Sequence, residues 1–157
     1  MSDVRVFKIE NRLAKVVKLP GGRTVADALR SADNRVAAIR NDCIASLAAK
    51  GAQLQQQAER ARSQADPAAL AGVYTTANEM FGIASTFAMT ELAEAAYGLC
   101  DLVDDTRTPA TINWGAIDVY VNGVRFLGSE AGQVESAARS AIVAGLREVA
   151  ARFVVES

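Results

Sequence analysis

The sequence predicts an all-α protein, a helical bundle preceded by a short basic segment. Hydrophobic residues make up 50% of the chain but aromatics only 6%, so the interior has to be filled by Ala, Val, Leu and Ile, as in helical bundles. Apolar residues recur at steps of three and four through most of the sequence, the period of a helix with one buried face. At 157 residues the chain is long enough for one sizeable core.

Residues 1–23 stand apart. Arg5, Lys8, Arg12, Lys15, Lys18 and Arg23 face only Asp3 and Glu10, and Val6, Ile9, Leu13 and Val16 fall at helical spacing before Pro20-Gly21-Gly22 ends the run. This predicts a basic amphipathic helix or arm, ahead of a helical domain at 24–157. It either packs on the body or offers a basic patch to an acidic partner or a membrane surface. Thr24 with Asp27 resembles a capping box. Val25, Leu29, Ala32, Val36, Ile39, Cys43, Leu47, Lys50 and Leu54 then follow at threes and fours, predicting a long helix into the polar stretch 53–64. Gly51 is a place for it to bend or fray.

Asp66-Pro67 restarts a helix, with Asp66 as N-cap and proline at the first position, and Val73, Ala77, Met80, Ala84 and Phe87 form its apolar stripe. Thr90 is expected to cap the next helix, which carries Leu92, Ala95, Ala96, Leu99, Leu102 and Val103, and 104–109 reads as a turn. Asn122-Gly123 between β-branched residues is a hairpin signal. Trp114, Ile117, Val121, Val124 and Leu127 nevertheless fit a helix face, and a lone hairpin among helices would have no sheet to join. Helix is the reading adopted. The last helix is predicted over 131–155, with Val134, Ala138, Ala141, Gly145, Val149 and Phe153 on one face.

Composition also excludes chemistry. The chain has no histidine, so catalytic triads, histidine-held metals and phosphohistidine transfer lack their central group. Nucleotide-binding, hydrolase and CxxC signatures are missing, and the sequence points to no enzyme, no metal and no cofactor. Asp104-Asp105 reads as a solvated turn. Glu91 and Glu94, which share a helix face, read as carboxylates favoured by the helix dipole. A net charge of −1 makes no case for a nucleic-acid partner. No apolar run reaches the ~18 residues of a membrane span, nor does a signal-type run follow Met1, so a cytoplasmic location is expected. Cys43 and Cys100 lie in apolar phase with their neighbours and are expected as buried, reduced thiols.

The segment Tyr74-Thr-Thr-Ala-Asn78-Glu-Met-Phe81-Gly82-Ile-Ala-Ser-Thr-Phe87-Ala88-Met-Thr-Glu-Leu92, with Leu99-Cys100-Asp101-Leu102 after it, has the most specific content. It resembles the signature helix of histidine-containing phosphotransfer (Hpt) domains. There a phospho-accepting histidine is followed by a lysine three residues on, glycines four and ten on, and a leucine fourteen on. Asn78, Phe81, Gly82, Ala88 and Leu92 occupy those places. The two scaffold positions Gly82 and Leu92 match and Ala88 nearly does, whereas the histidine and the lysine are replaced. The resemblance spans roughly residues 66–127 and implies an antiparallel four-helix bundle.

A carboxamide at 78 is no nucleophile but exchanges hydrogen bonds, and an aromatic ring at 81 adds contact area in place of charge. The resemblance therefore implies a protein that docks on the receiver domain of a response regulator without carrying phosphate, similar to the CheE type of bacterial chemotaxis proteins. Tyr74, Asn78, Phe81, Gly82 and Ser85 are the expected contact residues. One feature opposes this: between Asp66 and Asp118 stand eight acids and a single base, Arg107, which would repel an acidic receiver pocket. The alternative is a structural or dimerisation module, with Val25 to Leu54 as the seam of a homodimer.

Overall fold

Asp66 accepts backbone hydrogen bonds from Ala68 (2.9 Å) and Ala69 (3.3 Å), so the predicted cap and proline open a helix where expected. In the computed structural model, which describes residues 24–104, 108–129 and 135–154 (the side chains of Phe153 and Val154 excepted), there are five helices. They are α1 (Val25–Gln64), α2 (Pro67–Thr86), α3 (Thr90–Leu102), α4 (Trp114–Ser129) and α5 (Ser136–Val154). No strand occurs among the described residues. The expected basic segment 1–23, Asp105 and residues 131–134 and 155 of the last predicted helix lie outside them.

The chain divides into two units, Met1–Ala38 and Ile39–Ser157. In the first, the described residues from Val25 on are helical and mostly exposed. Asp27 N–H donates to Thr24 Oγ1 (3.1 Å), and that hydroxyl donates to Asp27 Oδ2 (2.7 Å), closing the expected cap.

The second unit holds the core. Leu47, Leu54, Val73, Met80, Leu99, Ile117 and Val124 are its largest fully buried apolar side chains. The later part of α1 meets α2 through Lys50 with Glu79 and Gln57 with Thr76, and meets α4 through Gln55 with Arg125 and Arg62 with Asp118. In both pairs residue numbers rise on one helix as they fall on the other. Helix α3 packs on α2 and α4, and α5 lies against α3 and α4. Thr76, buried in the core, donates its hydroxyl to Gln57 Oε1 at 2.9 Å, so its polar group is satisfied.

Several expectations need correction. Gly51 neither bends nor frays α1; it is buried against α4, where a Cβ would stand 3.0 Å from Arg125 Cγ. Thr90 is not a cap. Met89 holds that position and makes no side-chain capping bond, because α3 follows α2 too closely for a separate capping turn. On α5 the inward residues are Ile142, Val143, Leu146, Val149 and Ala150, whereas Ala138, Ala141 and Gly145 are exposed; the larger aliphatic side chains took the buried face from a stripe of small ones. Cys100 is buried but Cys43 only half so. The helix reading adopted for Asn122-Gly123, by contrast, holds, since the pair lies within α4.

The α2–α3 connection is a Schellman motif. Met89 N–H bonds to Ala84 O (2.8 Å) and Ala88 N–H to Ser85 O (3.4 Å), with Ala88 at a left-handed φ of 56°. An L-residue with a Cβ costs roughly 1–2 kcal/mol there and glycine does not. Ala88→Gly is therefore expected to raise stability by about 1 kcal/mol, read as a higher urea midpoint at unchanged slope. A lower midpoint would show that the turn is not strained.

Candidate functional site

Helix α2 has two opposite faces because its inward stripe is completely committed. Val73, Ala77, Met80 and Ala84 each have no exposed surface, and Phe87, the fifth predicted member, is half-buried. The opposite arc of Ala71, Thr75, Asn78, Gly82 and Ser85 is exposed along its length. It is small and polar, so little side-chain bulk stands between the helix backbone and anything approaching it.

Each predicted contact residue has a definite place. Asn78 is exposed, and its carboxamide bonds to no other described residue. Gly82 is exposed too, and a Cβ built on it meets nothing within 4 Å. Close approach of a neighbouring helix of the same bundle therefore does not explain this glycine. Ser85 lies one turn further on the same arc. Tyr74 is 42% exposed and lines a groove of about 300 Å³ between the start of α2 and the end of α3, together with Leu70, Val103 and Asp104.

Phe81 departs from the simplest picture. It is half-buried, packed against the core, and its ring lies 5.8 Å from that of Tyr97 on α3 at a tilt of 51°, within the range of favourable aromatic pairs. The partly exposed aromatic edge is thus shared by Phe81 and Tyr97, the latter 55% exposed. Tyr97 was not among the residues predicted from sequence. The one signal for it was an aromatic on the side of α3 away from Leu92, Ala95, Ala96 and Leu99; its pairing with Phe81 depends on how two helices pack. On the α1 side of the same arc, Lys50 Nζ pairs with Glu79 Oε2.

The electrostatics differ from those implied by composition. Four of the eight acids in 66–118 are paired with bases that lie outside that stretch: Asp66 with Arg60, Glu79 with Lys50, Asp118 with Arg62 and Glu94 with Arg147. The N–H groups of Ala69 and Ala68, with Arg60, hold the Asp66 carboxyl below its usual range despite some opposing desolvation. The Glu94 hydrogen bond raises the Arg147 pKa further. Exposed ion pairs contribute little stability, but they neutralise the segment as seen by a partner. Their bases come from α1 and α5, which a count confined to the motif region omits.

Chemistry at this surface is limited. Burial first, then Asp101, pushes the Cys100 thiol up to about 11, so it is no thiolate at neutral pH. Among the described residues no group of three or more Cys, Asp or Glu is placed to hold a metal ion. Glu94, one of the two carboxylates considered for a cation, is held by both Nε and Nη2 of Arg147. What the α2 arc can do is offer a carboxamide, a hydroxyl, a bare stretch of helix and an aromatic edge to another surface. No family model, curated protein or solved structure matches the chain. Among the described residues no helix is long and apolar enough to cross a membrane.

Two glycine substitutions separate outward from inward positions. Gly82→Ala, in open space, is expected to stabilise the protein by about 1 kcal/mol through helix propensity alone. Gly98→Ala, whose Cβ would lie 2.6 Å from Tyr120 Cε1, is expected to cost roughly 1–3 kcal/mol through overpacking. Paired denaturant melts check both. Destabilisation by Gly82→Ala would place residue 82 inside the packing rather than on the surface.

Proposed function

We propose that the chain is a non-catalytic, Hpt-like protein that docks on response-regulator receiver domains through the outer face of α2 and carries no phosphate itself. On this reading α1 to α4 form an antiparallel four-helix bundle of the Hpt kind, with α5 packed outside it, and the protein works in the cytoplasm in two-component or chemotaxis signalling. It acts by occupancy: it competes with a genuine phosphodonor for the regulator, or sequesters it.

The observation that carries the reading is the outward placement of residue 78 next to an unobstructed Gly82. A position that would present a phospho-accepting side chain to a partner is accessible here, and the group standing there is a carboxamide. Two further observations support it. Ala88 occupies the family's second glycine position in a left-handed conformation, which gives a physical reason for a glycine in that pattern. The ion pairs to Lys50, Arg60, Arg62 and Arg147 reduce the acidity that opposed docking on an acidic receiver pocket. Asn78 replaces a charged intermediate with a neutral donor and acceptor, and the Phe81–Tyr97 edge supplies apolar contact area.

Titration against a panel of receiver domains, with and without a phosphate mimic, tests the proposal. Saturable binding to at least one receiver is expected, weakened about tenfold or more by Gly82→Arg at unchanged helix content, since a long cation there obstructs the bare backbone. Asn78→His with Phe81→Lys is expected to let the chain accept phosphate from a phosphorylated receiver, seen by acid-labile labelling. No binding to any receiver rejects the reading; binding unaffected by Gly82→Arg puts the contact on another surface.

A further inference from the structure

Helices α3, α4 and α5, all within the second unit, leave between them a cleft of about 330 Å³, the size of a site for one small molecule. Much of its lining is apolar. The Tyr120 ring lies against Gly98, where a Cβ would stand 2.6 Å from Cε1, and Leu102, Val143, Leu146 and Ala150 continue the wall. The Tyr120 hydroxyl donates to Leu146 O (3.0 Å), so its proton is already used within the protein. A ligand resting here gains contact area from the lining and takes its orientation from the charged groups at the edge.

Those charges are Glu94, Asp101 and Arg147, and they do not balance. Nε and Nη2 of Arg147 both donate to the Glu94 carboxylate, so these two neutralise each other. Among the described residues the Asp101 carboxylate makes neither ion pair nor hydrogen bond. It stands in the last turn of α3, a turn with no base, at the end where the helix dipole disfavours an acid. Burial first and then Asp101 raise the Cys100 thiol, and burial, Glu94 and Asp101 in that order raise the Tyr120 phenol. Negative potential therefore reaches the lining. Tyr97 also lines the cleft and is exposed; it comes four residues before Asp101, which makes the two neighbours on the helix surface, and its ring offers a cation a π-face.

We infer that this cleft binds a small organic cation, an amine with a compact apolar or aromatic body, whose ammonium group meets Asp101 and Tyr97 while its body lies on Leu102, Leu146 and Ala150. Other ligand classes fit less well. An anion would have to displace Glu94 from Arg147 and would still lie near an uncompensated Asp101. A neutral molecule leaves that carboxylate, and the helix end it stands on, uncompensated. With two carboxylates, one of them held by Arg147, the cleft is no metal site, in keeping with the lack of any such group among the described residues. The cleft shares only Tyr97 with the α2 surface, and the inference does not rest on receiver docking.

Titration of the full chain with phenethylammonium, followed through backbone amide shifts, tests it, with phenethyl alcohol and phenylacetate as neutral and anionic analogues of similar shape. Saturable shifts centred on Gly98, Asp101, Leu102, Leu146 and Ala150 are expected. The cation should bind about tenfold more tightly than the alcohol, and phenylacetate most weakly. Asp101→Asn, nearly isosteric and exposed, should bring the cation down to the affinity of the alcohol with the remaining spectrum unchanged. Ala150→Leu, which fills part of the cleft, should weaken cation and alcohol together. Equal binding of cation and alcohol, tighter binding of phenylacetate, or no saturation by about 10 mM overturns the inference. So do shifts centred elsewhere, or a cation affinity that Asp101→Asn leaves as it was.

Discussion

The commitment of Val73, Ala77, Met80 and Ala84 to the core is the constraint from which the rest of the second unit follows. Each has no exposed surface, so the rotation of α2 about its own axis is fixed by close packing, and a few tens of degrees of turn would open voids costing several kcal/mol. Once that stripe is fixed, the helix period alone places Asn78, Gly82 and Ser85 on the far side. The same packing sets the flanks: α3 brings Tyr97 beside Phe81, and α1 brings Lys50 beside Glu79. A polar, low-relief surface between an aromatic edge and an ion pair is therefore a consequence of how the core is filled.

How much of this was legible in the sequence depended on contrast. The α2 stripe stands out because small polar residues separate its apolar members, and Asp66-Pro67 marks its start with side-chain chemistry that has few other uses. Helix α4 was readable despite Asn122-Gly123, because five large apolar residues outweigh one turn signal. On α5, where alanines occupy several faces at once, small and large apolar residues compete, and the stripe chosen from spacing is largely exposed. The strained φ at Ala88 left no trace in its residue type. The Phe81–Tyr97 pair and the ion pairs across helices were hidden because each joins residues that only tertiary packing brings together.

Helix α1 shows the limit of periodicity most directly. Its apolar pattern reads as one amphipathic stripe from Val25 to Leu54, yet only the later part is buried. Spacing reports that a face must be covered, not by what. The extra step of four between Cys43 and Leu47 is the local sign that the stripe changes phase where its buried part begins.

Receiver docking stands or falls with the α2 arc as the surface of contact. Backbone amide chemical-shift mapping of the full chain, as a receiver domain is added, addresses it directly. The expected result is perturbation of the outer-face amides of Tyr74, Thr75, Asn78, Phe81, Gly82 and Ser85 with Tyr97, leaving the rest of α3 and the inward residues Val73, Ala77, Met80 and Ala84 least moved. Perturbations confined to α1 or α5, or none at saturating receiver, would contradict it.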